Sequence, residues 1–322
     1  MAKRNSRFSS ARFFEVPKGW TPSAEKLSAA LYTPTGPSQE LSYGFIPPRG
    51  GTEPGDWPIT EVVSGLHIVR LRTQSRRVPK SAMDKEVAAM VERVERETGR
   101  KPGKLEKKEM KETTKLNLLP RAFARDVDSW AVVCPTRGLM VVNNASRTAS
   151  ARLSQELVGH HCAHPSETSQ GAVPMYARPI RTNVSITDFM REALTAARDI
   201  RPLALSARCV LGADDESRKQ VAYKNHELQD NQEVARHLTI GHSPRRLGLF
   251  LESAAHFEID SDMGLHAIDF ADDLFSKAPS DKSDDAFDGD FAITGAVLMS
   301  IFDSLATQLG LERMDEHKQS PF

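Results

Sequence analysis

Cysteine is scarce. Cys134, Cys162 and Cys209 lie far apart and are odd in number, so no disulfide framework is implied and a reducing cytosol is the default expectation. Long apolar runs are missing too, since no stretch approaches the roughly 18 residues that cross a bilayer. The opening MAKRNSRFSSARFF lacks the apolar core of a signal peptide and reads as a short flexible arm. No G-x-x-x-x-G-K-[ST] loop and no nucleophile elbow occur, which argues against a P-loop ATPase and an α/β-hydrolase. Helix-turn-helix and zinc-finger spacings are absent, against a reader of bases. Aromatics do not interleave with the lysines, against a dedicated single-strand binder. There is no internal repeat.

Net charge is also missing, with 43 Lys/Arg against 43 Asp/Glu in 322 residues. That balance hides a segregation. Residues 70–125 hold 17 Lys/Arg and 8 Asp/Glu, while residues 251–303 hold 2 Lys/Arg and 13 Asp/Glu. Local fields follow local charge, so the chain is electrically polarised. Hydrophobic residues make up 39%, enough for a substantial core.

Residues 32–58 are dense in Pro and Gly and predict irregular loops held by Tyr32, Tyr43, Phe45 and Trp57. GLHIVRLRTQ alternates and predicts a strand near 66–73. Ser81 is a good N-cap for a helix carrying Met83, Val87, Met90, Val91 and Val94, with Gly99 and Pro102 as its stop. A second helix, KLEKKEMKETTKLNLL, is almost all charge, with Leu105, Met110 and Leu116 as its anchors. Such a helix projects into solvent or faces a polar partner. WAVVCPTRGLMVVNN predicts a hairpin turning at Pro-Thr-Arg-Gly. Helices follow at about 147–158 and from Ser185 to about 197. LALSARCVL and KQVAYK read as strands and NQEVARHLTI as a short helix. RRLGLFLESAAHFEIDSDMGLHAIDF reads as two or three strands with one wet face. Residues 276–290 predict an acidic loop, and a last helix spans about 291–309.

Strands and helices mix without a regular βαβ rhythm. The fold class is therefore α+β, with mixed antiparallel sheets and a protruding basic helical arm. The expected division is 1–80 as an N-terminal part of the core and 81–125 as the arm. Residues 126–200 complete the core, and 201–322 form a second α+β region.

The stretch NLLPRAFARD, residues 117–126, places Phe123 between Arg121 and Arg125. Read as helix, the arginines share a face and Phe123 points roughly away. Read as extended chain, all three share one face. Either way two guanidinium forks suited to phosphate flank an apolar anchor. Phe123 then fills the core, or it makes a subunit contact.

LLPRAFARD, with the lysine-rich helix before it, resembles the signature of the RdgC family of recombination-associated DNA-binding proteins. YTPTGPSQELSYGFIPP resembles that family's N-terminal Pro-Cys-Gly-Ser…Gly-Trp-Val-Pro-Pro stretch. GLMVVNNAS, VSITDFM, AYKNHEL and FDGDFAITGAVLMSIFDSLATQLG match further segments in the family's order. Thr35 stands for the usual Cys, Phe45 for Trp, and Asn225-His226 for Lys-Gln. The resemblance implies a homodimer without catalytic activity or cofactor, closed as a ring around double-stranded DNA with no strong sequence preference. It further implies restraint of the strand-exchange recombinase, and a cytoplasmic, nucleoid-associated protein with no membrane partner. Phe123 and the turn Lys224, Asn225 and His226 match the contact that closes the ring, with Arg121 close by.

Duplex DNA carries one negative charge per roughly 1.7 Å of axis, and the surplus in 70–125 is suited to it. Arg76, Arg77, Lys80, Lys85, Lys104, Lys107, Lys108 and Lys111 are the natural phosphate contacts, joined by Arg121 and Arg125. Two other constellations carry metal-capable side chains. His160-His161-Cys162-Ala-His164 is metal-capable but lacks a second separated ligand pair. Asp281, Asp284, Asp285, Asp288 and Asp290 lack the glycine and closing Glu of a calcium loop, and two of them suit a helix N-terminus. The same acids suggest an alternative, a metal-dependent nuclease or DNA-processing enzyme. A protein-interaction scaffold using the acidic face is the third reading.

Overall fold

The computed structural model describes residues 7–50, 57–159, 177–214, 219–229, 231–275 and 284–312. The His160–His164 cluster and Asp281 lie outside the described residues. The chain divides into two compact units. The larger comprises Met1–Lys26, Thr60–Val69 and Trp130–Phe322; the smaller comprises Leu27–Ile59 and Arg70–Ser129.

The N-terminal half contains β1 (Ala11–Glu15), α1 (Ala24–Ser28), β2 (Leu41–Ile46), β3 (Glu61–Val63) and β4 (Leu66–Arg76). Two long helices follow, α2 (Lys80–Thr98) and α3 (Lys104–Leu118), then a 3-10 turn at Leu119–Arg121. The hairpin strands are β5 (Ala124–Cys134) and β6 (Leu139–Val142). Then come α4 (Arg147–Gly159), β7 (Arg178–Pro179), β8 (Arg181–Thr182) and α5 (Ile186–Leu194). The C-terminal part holds β9 (Leu203–Ala213), β10 (Gln220–Lys224), α6 (Gln232–Thr239), β11 (His242–Leu251), β12 (Ala255–Asp260) and β13 (Gly264–Phe270). It ends with α7 (Asp284–Leu309) and β14 (Leu311–Glu312).

In the larger unit the strands run in the order β10-β9-β11-β12-β13-β1-β6-β5. Each of their registered ladders is antiparallel. Strand β1 therefore lies inside the sheet, between β13 and β6. This corrects the expectation of a flexible N-terminal arm from Phe8 onward. Phe8 and Ala11 are fully buried, and Phe13 and Phe14 nearly so. The buried Arg12 in the same strand donates to the carbonyls of Ala145 and Asp262 and faces Asp260. A basic composition disguised a core strand because its one internal cation is satisfied by carbonyl oxygens.

One face of this sheet packs on α5, α6 and α7. Phe13 meets Phe302 of α7 with ring centroids 5.1 Å apart, and Trp130 meets Phe291 at 5.4 Å. Helix α7 begins at Asp284, so residues 284–290 extend the helix expected from 291 rather than belonging to an acidic loop. Phe287 supplies the reason, since it is buried against Phe291 and Trp130. Apolar contact on that turn holds it in the helix despite its run of aspartates.

In the smaller unit β5, β4 and β2 lie side by side, with β2 and β4 paired from Leu41↔Ser75 to Ile46↔Arg70. Strand β2 corrects the expectation of irregular loop across 32–58. Phe45, Ile46 and Leu71 bury completely there. Gly44 is required in the strand, because a Cβ at this position would stand 2.4 Å from the backbone of Tyr32. Helix α2 starts one residue before the expected cap, with Pro79 at its N-cap, and ends as expected at Gly99 with φ of 70°.

Candidate nucleic-acid interface

Helices α2 and α3 are joined by five residues and pack on one another, with the Thr114 hydroxyl against Met90 Sδ at 3.5 Å. The packed side of α3 is Thr114, fully buried, with Met110 and Leu118 half-buried. Leu105 and Leu116, expected as anchors, are 70% and 57% exposed. Helical spacing explains the correction, because both lie on the flank shared with Glu109 and Glu112. Lys104, Lys107, Lys108, Lys111 and Lys115 stand at positions i, i+3, i+4, i+7 and i+11 and form a stripe along the other flank. Glu106 closes the start of α3. It accepts from the Gly103 amide and from Arg100, which hold its carboxyl at about 2.

The ion pairs of this unit are selective. Arg93, Arg100, Lys101 and Lys115 pair with Glu97, Glu106, Glu95 and Glu40. Arg70 and Arg72 share Asp128, and Arg72 also reaches Asp126. By contrast, none of Arg76, Arg77, Lys80, Lys85, Lys104, Lys107, Lys108, Lys111, Arg121 and Arg125 pairs with a described carboxylate. All except Arg76 are exposed. The unit as a whole has 18 Lys/Arg against 13 Asp/Glu, leaving the larger unit with 25 against 30. The charge segregation read along the chain is thus a segregation between folded units.

Arg76 has a different employment from the other nine. Its guanidinium donates to Thr35 Oγ1 at 3.0 Å and to the carbonyls of Pro120 and Ala122 at 3.4 Å. It fastens the LPRAF turn to the end of β4. Thr35, which is 6% exposed, in turn donates twice to Gln74 Oε1, and Gln74 Nε2 donates to Asp126 at 2.7 Å. One face of the β2–β4–β5 sheet therefore carries a polar lattice: Arg70, Arg72, Gln74 and Arg76 along one strand, Asp126 and Asp128 along the next. Burial pushes the Asp128 carboxyl up, but the bonds from Arg72 and Arg70 outweigh it and hold the carboxyl below its usual range. The alternation of these residues along β4 and β5 is the sequence signal for this brace.

The turn settles the conformation around Phe123. Leu119–Arg121 is 3-10, Ala122 is extended, and strand β5 starts at Ala124. Leu119 is the buried anchor, at 1% exposure, while Phe123 is 96% exposed. Phe123 as a core residue is therefore excluded.

Lys224, Asn225 and His226 belong to the larger unit. Lys224 ends β10, the edge strand of the ladder, Asn225 and His226 follow it, and all three are exposed. Asn225 takes a positive φ of 59°, which turns the chain away from the edge. His226 rests edge-on against Tyr223, ring centroids 6.1 Å apart. Among the described residues no group of three or more His, Cys, Asp or Glu is placed to hold a metal ion.

These features define a two-unit α+β protein whose smaller unit presents a row of lysines, four of them (Lys104, Lys107, Lys108 and Lys111) without a described carboxylate partner, and a solvent-facing aromatic turn. The family model described as "Putative exonuclease, RdgC" matches residues 8–312, and the chain belongs to the RdgC family. It is similar to the recombination-associated protein RdgC of Pseudomonas fluorescens (strain Pf0-1), 29% identical over 296 residues covering 90% of this chain and 92% of the relative. The relative from Dechloromonas aromatica (strain RCB), also named recombination-associated protein RdgC, is 25% identical over 313 residues, 95% of this chain and 98% of its own. The fold and the family together are those of a recombination-associated protein.

Proposed function

We propose that the protein binds double-stranded DNA without sequence preference, as a homodimer closed into a ring, and has no catalytic role. One observation carries the reading: nine exposed cations of the smaller unit, Arg77, Lys80, Lys85, Lys104, Lys107, Lys108, Lys111, Arg121 and Arg125, have no described carboxylate as an ion-pair partner. Flexible lysines on helices contact phosphates without reading bases. Phe123, at 96% exposure, supports a subunit contact, because a fully exposed aromatic next to two arginines gains apolar burial only from another molecule. Lys224, Asn225 and His226 are accessible enough to take part in the same contact. Covering DNA in this way would restrain the strand-exchange recombinase, and the protein would act in the cytoplasm on the nucleoid. Gel shifts on circular and linear duplexes of unrelated sequence test the proposal. Similar affinity on all of them at low salt is expected, and no binding at low salt rules it out.

The wording of the family description favours a second reading, a metal-dependent nuclease using the acids near the start of α7. Incubating plasmid with the protein and magnesium or manganese decides between them. Persistently intact plasmid removes the nuclease, and progressive degradation removes the purely binding role.

A further inference from the structure

The open face of the larger unit's sheet holds a trough of about 290 Å³, lined by Arg208, Val210, Ala222, Lys224, Arg246 and Glu258 among others. Register places these residues together. Val210 stands opposite both Ala222 and Arg246, and Lys224 stands opposite Arg208. Val210 and Ala222 give the trough a low floor. The register of β9 against β11 shifts on either side of Arg246 and Leu247, and such irregularities re-aim side chains. Close approach is enforced at Gly248, where a Cβ would stand 2.8 Å from the Arg208 carbonyl oxygen.

Three cations meet here in a unit that is acidic overall, 25 Lys/Arg against 30 Asp/Glu. One carboxylate sits among them. Arg208 donates to Glu258 Oε1 and Arg246 to Glu258 Oε2, each at 3.4 Å. Glu258 is 15% exposed, while Arg208 and Arg246 are 55% and 40% exposed. Each guanidinium thus commits one N–H, over a long bond, and keeps its remaining donors toward solvent. Glu258 holds the two forks in place without saturating them. A pre-oriented pair loses little side-chain freedom on meeting an anion, and guanidinium forks match tetrahedral phosphate oxygens.

We propose that this trough is a phosphate-binding subsite, taking a phosphate monoester, a pyrophosphate or a phosphodiester, and separate from the lysine stripe of α3. Lys224 also borders the turn assigned to the subunit contact, so the tests use the two arginines. Pyrophosphate and thymidine monophosphate represent free phosphates, and a duplex represents the nucleic-acid backbone. Calorimetry at low salt is expected to show pyrophosphate binding that weakens at least tenfold in the Arg208→Ala/Arg246→Ala protein. It should persist in Lys104→Glu/Lys108→Glu/Lys111→Glu, which separates this subsite from the DNA-binding reading. If only duplex affinity falls in the double arginine variant, the phosphate comes from DNA and the subsite stands. Pyrophosphate and duplex binding both unaltered by the double variant would overturn it. A readout on the unaltered chain guards against misfolding: pyrophosphate should shield Arg208 and Arg246 from phenylglyoxal, mapped by mass spectrometry. Equal modification with and without pyrophosphate or duplex also sinks the proposal.

Discussion

Arg76 donates from the end of β4 to the carbonyl of Ala122, the residue immediately before Phe123. The most exposed aromatic among the described residues is thereby held by a clamp that is itself tied to Thr35. A side chain left in water but mounted on a fixed turn is pre-organised for a partner, because little ordering remains to be done on contact.

Phe123→Ser separates contact from folding. Since Phe123 is 96% exposed, its replacement should change unfolding free energy by no more than about 0.5 kcal/mol. Self-association in light scattering and retention on circular duplex should both weaken. A large drop in denaturation midpoint with association intact would contradict the assignment.

Arg76→Ala should act differently. Losing the bonds to Thr35, Pro120 and Ala122 costs about 1–3 kcal/mol if the carbonyls go unsatisfied. Hydrogen exchange at residues 119–124 should accelerate. Arg77→Ala, which lacks those bonds, should lower DNA affinity and leave exchange there unchanged.

The lysine stripe makes a salt-dependence prediction. Each phosphate contact contributes about 0.9 to the slope of log affinity against log salt. Replacing Lys104, Lys108 and Lys111 by Gln should reduce that slope by about 2–3, equally on unrelated duplexes. Fluorescence anisotropy across a salt series measures it. An unchanged slope would mean that the stripe does not touch DNA.

Asp128 gives a pH dependence with a defined sign. Its carboxyl is held below the usual range in the folded protein, where burial is outweighed by bonds from Arg72 and Arg70. A depressed folded value means that its stabilisation is complete above the unfolded value of about 4 and is lost as pH falls through the folded one. Asp128→Asn should therefore destabilise the smaller unit at pH 7, by about 2 kcal/mol, since it removes the carboxylate that two mostly buried arginines share. The difference from the unaltered protein should shrink below pH 4. Urea unfolding at pH 7 and pH 3 checks both halves of the statement.

Much of the architecture was legible along the chain. Helical spacing and Gly99 defined α2, alternation defined β4, and Ser185 capped α5, where its hydroxyl accepts from the Asp188 amide. These features are local, set by neighbours within a few residues. The misreadings were non-local. Residues 11–15 looked like a basic tail because nothing nearby announces that β13 and β6 flank them. Leu105 and Leu116 looked like anchors because apolar identity alone does not say which flank of a helix meets its neighbour.

By itself the sequence determined which residues carry charge, how that charge divides along the chain, and where locally signalled elements such as α2, β4 and α5 lie. Those depend on covalent order and short-range backbone preference. Only tertiary structure decided that Phe45 is buried and Phe123 exposed, that Arg76 braces a turn, and that Arg208 and Arg246 meet across Glu258. Burial and pairing are set by the segments folded alongside, and strands distant in sequence bring those segments together.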